Sequence, residues 1–257
     1  MRWIPLLLLW LPLAAWPPAA AAEPADPAPS TPPEVRALLA RLDAARPDAA
    51  GGCLRVPFER RKATPLLRRP LASSGVLTAS GGALRWETRT PRPGLTVIAG
   101  GQVRIVDPGA RQVEVYPLGG PAGAAASFGP ASPLSGLPDR FAVTRAAPPA
   151  WDPPEATPPE ADPPEADPPE APSPVGVPAP ALVGLRLVPL DAAVATQLRS
   201  IGLGVEEATG SVRLLETLEA DGSSTAYRFG PAEPSEAPCP IEPPAPEGYE
   251  LVRPLER

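Results

Sequence analysis

Side-chain chemistry near neutral pH most often begins with histidine, and this chain of 257 residues contains none. Its absence removes serine–histidine–carboxylate and cysteine–histidine catalysis, together with the commonest zinc and iron ligand sets. The two thiols are Cys53 and Cys239, and without an imidazole to form a thiolate neither is expected to act as a nucleophile. The 29 Asp and Glu residues could in principle supply a carboxylate pair. None of them sits in an apolar sequence context that would raise a pKa for general-acid work. The net charge of −6 argues against a nucleic-acid binder, which needs a basic face. The chain therefore reads as a non-enzyme, with no catalytic residue, no cofactor and no metal site.

Residues 1–22 have the pattern of a cleavable signal peptide. Arg2 provides a basic start, Trp3 to Trp16 is an apolar stretch rich in Leu, and Ala20-Ala21-Ala22 supplies small residues before Glu23. The apolar run is shorter than the roughly 20 residues of a transmembrane helix. An uncleaved signal anchor is the alternative. In an oxidising compartment two cysteines more often pair than not. A disulfide between Cys53 and Cys239 would contribute on the order of 4–5 kcal/mol in the chain-entropy picture. Two unrelated thiols remain the other reading.

The elements that must position any site are short strands. Leu84 to Leu118 reads as an antiparallel meander. Its strands are Leu84–Thr88, Leu95–Ala99, Gln102–Val106 and Gln112–Tyr116, separated by Pro91-Arg92-Pro93-Gly94, Gly100-Gly101 and Asp107-Pro108-Gly109. Further strands are expected at Cys53–Arg61, Ser74–Ala79, Arg140–Thr144, Ala181–Val188, Ile201–Glu206, Ser211–Glu219, Ser224–Phe229 and Gly248–Val252. Lys62 to Ala72 reads as a basic hairpin loop. Residues 23–30 form a Pro-rich linker. Thr31-Pro32-Pro33-Glu34 then begins a helix with a predicted capping box, Thr31 to Glu34. Val35, Leu38, Leu39 and Leu42 follow at helical spacing, so one face of this helix, running to about Ala45, must be covered. A short helix capped by Asp191 is expected over Asp191–Ser200. Gly119 to Pro138 reads as loop or as a loosely held lid carrying Phe128, Leu134 and Leu137.

Low complexity interrupts the strands. Starting at Pro153, the chain reads PPEAT, PPEAD, PPEAD and PPEAP. A pentapeptide with two prolines and a carboxylate cannot close backbone hydrogen bonds and reads as an extended, solvated spacer. It lies in a 146–180 insertion. A docking tether and a repeat-expanded loop without a role are both open.

Taken in order, these pieces resemble the periplasmic lipoprotein carrier LolA and its family of outer-membrane lipoprotein-sorting proteins. The resemblance is carried by the amphipathic helix, Phe58-Glu59-Arg60-Arg61, the S-S-G-x-L strand at Ser73–Leu77 and the L-R-W-E-T block at Leu84. Asp107-Pro108 and the closing Pro243-to-Tyr249 segment complete it. It covers most of residues 31–252 outside the insertion, leaving 253–257 as a tail. The arginine that latches the lid in the family's best-known member has no counterpart at Ala79-Ser80-Gly81-Gly82.

The resemblance implies an α+β, mainly β fold: an open, curved antiparallel half-barrel covered by an N-terminal helix and lid segments. It also implies a non-enzymatic carrier in the periplasm, monomeric, holding lipoprotein acyl chains or another lipid. Its partners would be an inner-membrane releasing transporter and an outer-membrane acceptor. A lipid-sensing or protein-interaction module tethered by the Pro-rich insertion is the alternative. By alternation, Leu84 with Trp86, Val103 with Ile105 and Val113 with Val115 are expected to line the cavity, joined by Val76. Arg85, Glu87, Arg104 and Glu114 then face water. At each position the competing reading is an ordinary core residue under the helix.

Overall fold

The computed structural model describes residues 30–46, 53–117, 133–151, 180–235, 239, 241 and 247–253. Residues 1–22, expected to be a signal peptide, Phe128 and the pentapeptide repeats lie outside the described residues.

Among the described residues thirteen strands form one sheet. They are β1 (Cys53–Ala63), β2 (Leu71–Ser80), β3 (Ala83–Thr90), β4 (Gly94–Ala99), β5 (Gln102–Asp107), β6 (Gln112–Pro117), β7 (Phe141–Ala146), β8 (Leu182–Pro189), β9 (Leu198–Glu206), β10 (Val212–Glu219), β11 (Ser224–Phe229), β12 (Glu233–Ser235) and β13 (Glu250–Val252). The order is β13-β6-β5-β4-β3-β2-β1-β11-β10-β9-β8-β7, with β12 also pairing β1. The path does not return on itself, so the sheet is open. It is antiparallel except where β13 runs parallel to β6. The mainly β, open and curved architecture expected from the sequence is the architecture observed. Beyond the strands expected from the sequence, β12 pairs with the start of β1. There Cys53 is joined to Cys239 in a disulfide, with Cα atoms 5.5 Å apart.

Helix α1 (Pro33–Ala45) buries Val35, Leu38, Leu39 and Leu42. At roughly 1.5–3 kcal/mol for each buried aliphatic side chain, this stripe holds it down. The predicted capping box does not form: the helix starts at an extended Pro32 with no side-chain cap. Thr31 is buried and serves the sheet instead. Its hydroxyl accepts from Val143 N at 2.9 Å and donates to Phe141 O at 3.3 Å. β7 is an edge strand, so these groups have no neighbouring strand to pair with. Thr31 substitutes for one. At the other end of the helix, Arg41 pairs with Glu207 at 2.8 Å, beyond the end of β9. The helix thus runs from the edge strand to the β9–β10 turn.

Leu134 and Leu137, expected in a loose lid, are both buried in the same core as α1. Asp43 of α1 ties this segment down, accepting from Leu134 N at 2.8 Å and Ser135 N at 2.7 Å. Residues 137–139 form a single 3-10 turn. The short helix α2 (Ala192–Ala195) is capped as expected by Asp191, which accepts from Ala193 N and Val194 N. It ends early, and Leu198 begins β9.

After β7 the chain turns back across the outer face of the sheet. A Cβ at Gly184 would lie 2.3 Å from Ala146 O, and one at Gly202 would lie 3.0 Å from Pro149 Cγ. The segment occupies a lane that only these missing side chains leave open. It ends at Trp151, whose ring lies under the guanidinium groups of Arg61 and Arg228, each 4.8 Å from the centroid. The start of the long β7–β8 connection is therefore strapped to the sheet by close packing and cation–π contacts.

Candidate functional site

Directly paired residues on neighbouring strands share a face, which lets the inner face be traced across the sheet. Val56 pairs with Leu77 and Leu77 with Trp86. Trp86 pairs with Thr96, and Thr96 with Ile105. In the other direction Phe58 pairs with Phe229 and Arg60 with Tyr227, which pairs with Leu215. Leu215 pairs with Leu203, and Leu203 with Leu185.

Along this face Trp86 and Tyr227 stand on strands three steps apart, roughly 14 Å in a flat sheet. Their ring centroids are 5.4 Å apart. The sheet must curl inward between them. Phe58 meets Trp86 edge-on at 5.2 Å, and Phe229 stacks on Tyr227 at 5.9 Å. Gly75 makes this approach possible. A Cβ there would fall 1.9 Å from Glu87 O and 3.0 Å from Phe58 Cζ, at a register shift between β2 and β3. The bulge bends the sheet where the aromatic rings converge.

Inside the curl is a cavity of about 320 Å³. Its walls are Phe58, Trp86, Ile98, Ile201, Leu215 and Tyr227, and its polar lining comes from Arg60, Thr88, Thr96, Thr217, Glu219 and Thr225. The polar groups cluster toward the end of β1, where Lys62 pairs with Glu219 at 3.7 Å. Arg60 donates to Ser73 Oγ at 2.9 Å, which fixes its guanidinium at this rim. Burial raises the Tyr227 phenol above its ordinary 10.0, against the opposing charge and hydrogen bond of Arg60. The phenol is thus a neutral hydroxyl at physiological pH. The arrangement suits an amphiphile: apolar depth, a hydroxyl-lined neck and a charged rim.

Among the residues expected to line the cavity, Trp86 does so. Leu84 and Val103 lie on the same inner face but pack into or against the main core. Ile105 shares that face, yet it is 37% exposed and is not among the residues that line the cavity. Val76, Val113 and Val115 are corrected outright. Val76 pairs with Glu87, Val113 with Val106 and Val115 with Arg104, so all three face outward. The cause is the turn at 108–111, which pairs Asp107 with Gln112. Odd-numbered residues of β5 then share a face with even-numbered residues of β6, and Glu114 and Tyr116 take the inner side, joined by a 2.8 Å hydrogen bond. The α1 residues Val35, Leu38, Leu39 and Leu42, with Leu134 and Leu137, close the core beside the cavity rather than line it.

Sequence reasoning missed Phe58, Arg60, Ile98, Ile201, Leu215 and Tyr227 as lining residues. Each sits on the apolar phase of an expected strand, and only the curvature tells which of them meet. Among the described residues no group of His, Cys, Asp and Glu could hold a metal ion, and no helix is long and apolar enough to cross a membrane.

No family profile and no curated relative matches the sequence. The fold is similar to solved structures. An uncharacterized conserved protein from Thermus thermophilus matches over 86% of this chain and 99% of its own, at 10% identity and a TM-score of 0.47. A LolA superfamily protein from Nitrosomonas europaea matches over 79% and 94%, at 11% identity and a TM-score of 0.37. A putative outer membrane lipoprotein-sorting protein domain from Vibrio parahaemolyticus matches over 79% and 92%, at 8% identity and a TM-score of 0.40.

Proposed function

We propose that this protein is an extracytoplasmic, non-enzymatic carrier that binds an acyl chain of a lipid or lipoprotein reversibly and moves it between membranes. The observation that carries this reading is the cavity that Trp86 and Tyr227 line together with Phe58, Ile98, Ile201 and Leu215. It is apolar in depth and polar at its rim. Its volume, about 320 Å³, lies at the small end of the roughly 300–1,000 Å³ typical of ligand pockets. That favours one apolar tail over several. Each methylene taken from water contributes about 0.8 kcal/mol, so affinity is easily reached and release is the harder requirement. The hydroxyl-lined neck helps, because threonines stabilise water in the cavity when the tail has left. The signal-peptide pattern of residues 1–22 is what supports an extracytoplasmic site of action, in the periplasm. An inner-membrane donor complex and an outer-membrane acceptor are the partners that the family resemblance suggests.

A second reading, a protein-interaction module tethered by the repeat tract, is favoured by one observation. Trp151 is held by Arg61 and Arg228 two residues before the start of the pentapeptide repeats. Deleting residues 153–172 separates the two: a carrier keeps lipid binding, whereas a tethered module loses its partner in pull-down. The primary test is organic extraction of the purified protein followed by mass spectrometry. A co-purified acyl lipid at near-stoichiometric yield is expected. Protein that carries none, and that fails to take up a fluorescent fatty acid, contradicts the carrier reading.

A further inference from the structure

The β1–β2 connection, residues 64–70, stands at the cavity's rim and exposes large apolar side chains that nothing in the fold requires there. Leu66 is 93% exposed, Leu67 44% and Leu71, at the start of β2, 58%. Scattered surface leucines are ordinary, but three within six residues on one turn form a patch. The turn is ordered: Leu67 N donates to Thr64 O at 3.1 Å, and Pro65 and Pro70 bracket it. Arg68 and Arg69 follow the leucines directly and are exposed. Arg92 stands on the neighbouring β3–β4 turn, which the Ser74–Thr90 pairing places at this same end of the sheet.

The acidic groups nearby are already engaged. Glu219 faces Lys62, Glu87 faces Arg85 and Arg89, and Asp221 accepts from Ser223. Among the described residues Arg68, Arg69 and Arg92 have no acidic partner. The chain as a whole is negative, at −6, so this cationic, leucine-bearing tip runs against its overall charge.

We propose that the Thr64–Leu71 tip is a membrane-surface contact selective for bilayers that carry anionic lipid. Leu66, Leu67 and Leu71 enter the interfacial region while Arg68 and Arg69 meet headgroup phosphates. An apolar face bordered by arginine is the composition that partitions to such an interface. Two or three basic residues near an anionic surface attract weakly, so the contact is reversible and weakens with salt. This inference rests partly on the carrier reading, because Arg60, Thr88 and Thr225 at the cavity rim lie just behind the tip. Docking there would bring the cavity mouth to the plane from which an acyl chain leaves or enters.

Cosedimentation of the purified protein with phosphatidylcholine vesicles, with and without phosphatidylglycerol, tests the contact. Binding is expected to the phosphatidylglycerol vesicles and to fall as salt rises. Leu66→Ser with Leu67→Ser, and separately Arg68→Gln with Arg69→Gln, should each weaken it about ten-fold or more. Melting temperature and fluorescent fatty-acid binding should stay unchanged, since none of these residues lines the cavity. Equal binding to both vesicle types, or binding that survives in both variants, overturns the proposal. So does a wild type that binds neither vesicle until residues 153–172 are deleted, because the tip would then be occupied by the chain's own acidic repeat. Fatty-acid uptake is read separately, so failure of the tip and failure of the carrier reading are distinguishable.

Discussion

The rings of Trp86 and Tyr227 lie 5.4 Å apart although β2 and β1 separate their strands. That single relationship records the curl of the sheet, and the cavity is what the curl encloses. An account in which the cavity receives an acyl chain makes each wall residue answerable to mutation.

Filling the cavity should weaken binding without loss of fold. Thr96 lines it from β4, opposite Trp86. Thr96→Trp places a large ring in existing space, so the melting temperature should change little. Fluorescent fatty-acid affinity should drop at least about ten-fold, the equivalent of roughly two lost methylene contacts. Unchanged affinity in a folded variant would place the ligand elsewhere.

Gly75 should tolerate no side chain. A methyl group there meets the Glu87 carbonyl at 1.9 Å, and backbone cannot swing aside as a side chain can. Gly75→Ala should destabilise by about 1–3 kcal/mol or more in urea unfolding. Fatty-acid binding should suffer beyond the stability loss, because the Phe58–Trp86 contact depends on the same bend.

The tie between α1 and the Leu134 segment should be sensitive to acid. Burial raises the Asp43 pKa, but hydrogen bonds from Ser135 and Leu134 and the charge of Arg46 outweigh it, leaving the carboxyl below its ordinary 3.8. A depressed folded-state pKa stabilises above the unfolded value, and that contribution is lost as pH falls through the folded value. Asp43→Ala should cost about 1.5–3 kcal/mol at neutral pH. Its stability deficit relative to the wild type should shrink below about pH 4. A deficit constant from pH 7 to pH 3 would show that the carboxylate charge is not what holds the segment.

Thr31 should behave as part of the sheet rather than as a helix cap. Thr31→Val keeps the shape but leaves Val143 N–H and Phe141 C=O without their partner, at about 1–3 kcal/mol. Hydrogen exchange should then accelerate first at the Val143 amide. Acceleration confined to the first turn of α1 would favour the capping role instead.

Much of the fold was legible because strands, turns and the α1 stripe are local patterns. The alternation of Leu84 with Trp86, and of Val103 with Ile105, needs only neighbouring residues. The phase between strands does not. It depends on how many residues a turn leaves unpaired, and at 108–111 that number moved Val113 and Val115 to the outer face. The site was less legible because it is made by curvature. Nothing in the sequence near Trp86 announces Tyr227, and the one local cue was Gly75 in an otherwise regular strand. Thr31 misled because a hydroxyl before a helix is a good cap in isolation, whereas the unpaired edge of β7 competes for it. The strap from Ala146 to Trp151 could have been suspected from Gly184 and Gly202, both set inside apolar strands.

Photo-crosslinking tests the central claim most directly. A fatty acid carrying a diazirine near its methyl end would be bound to the purified protein, irradiated, and the labelled residues mapped by peptide mass spectrometry. The account predicts label on Trp86, Ile98, Leu215 and Tyr227, apolar and aromatic residues of the cavity wall, and its loss on competition with unlabelled fatty acid. Label confined to Leu66 and Leu67, to the outward-facing Val76, Val113 and Val115, or to no discrete site would contradict it.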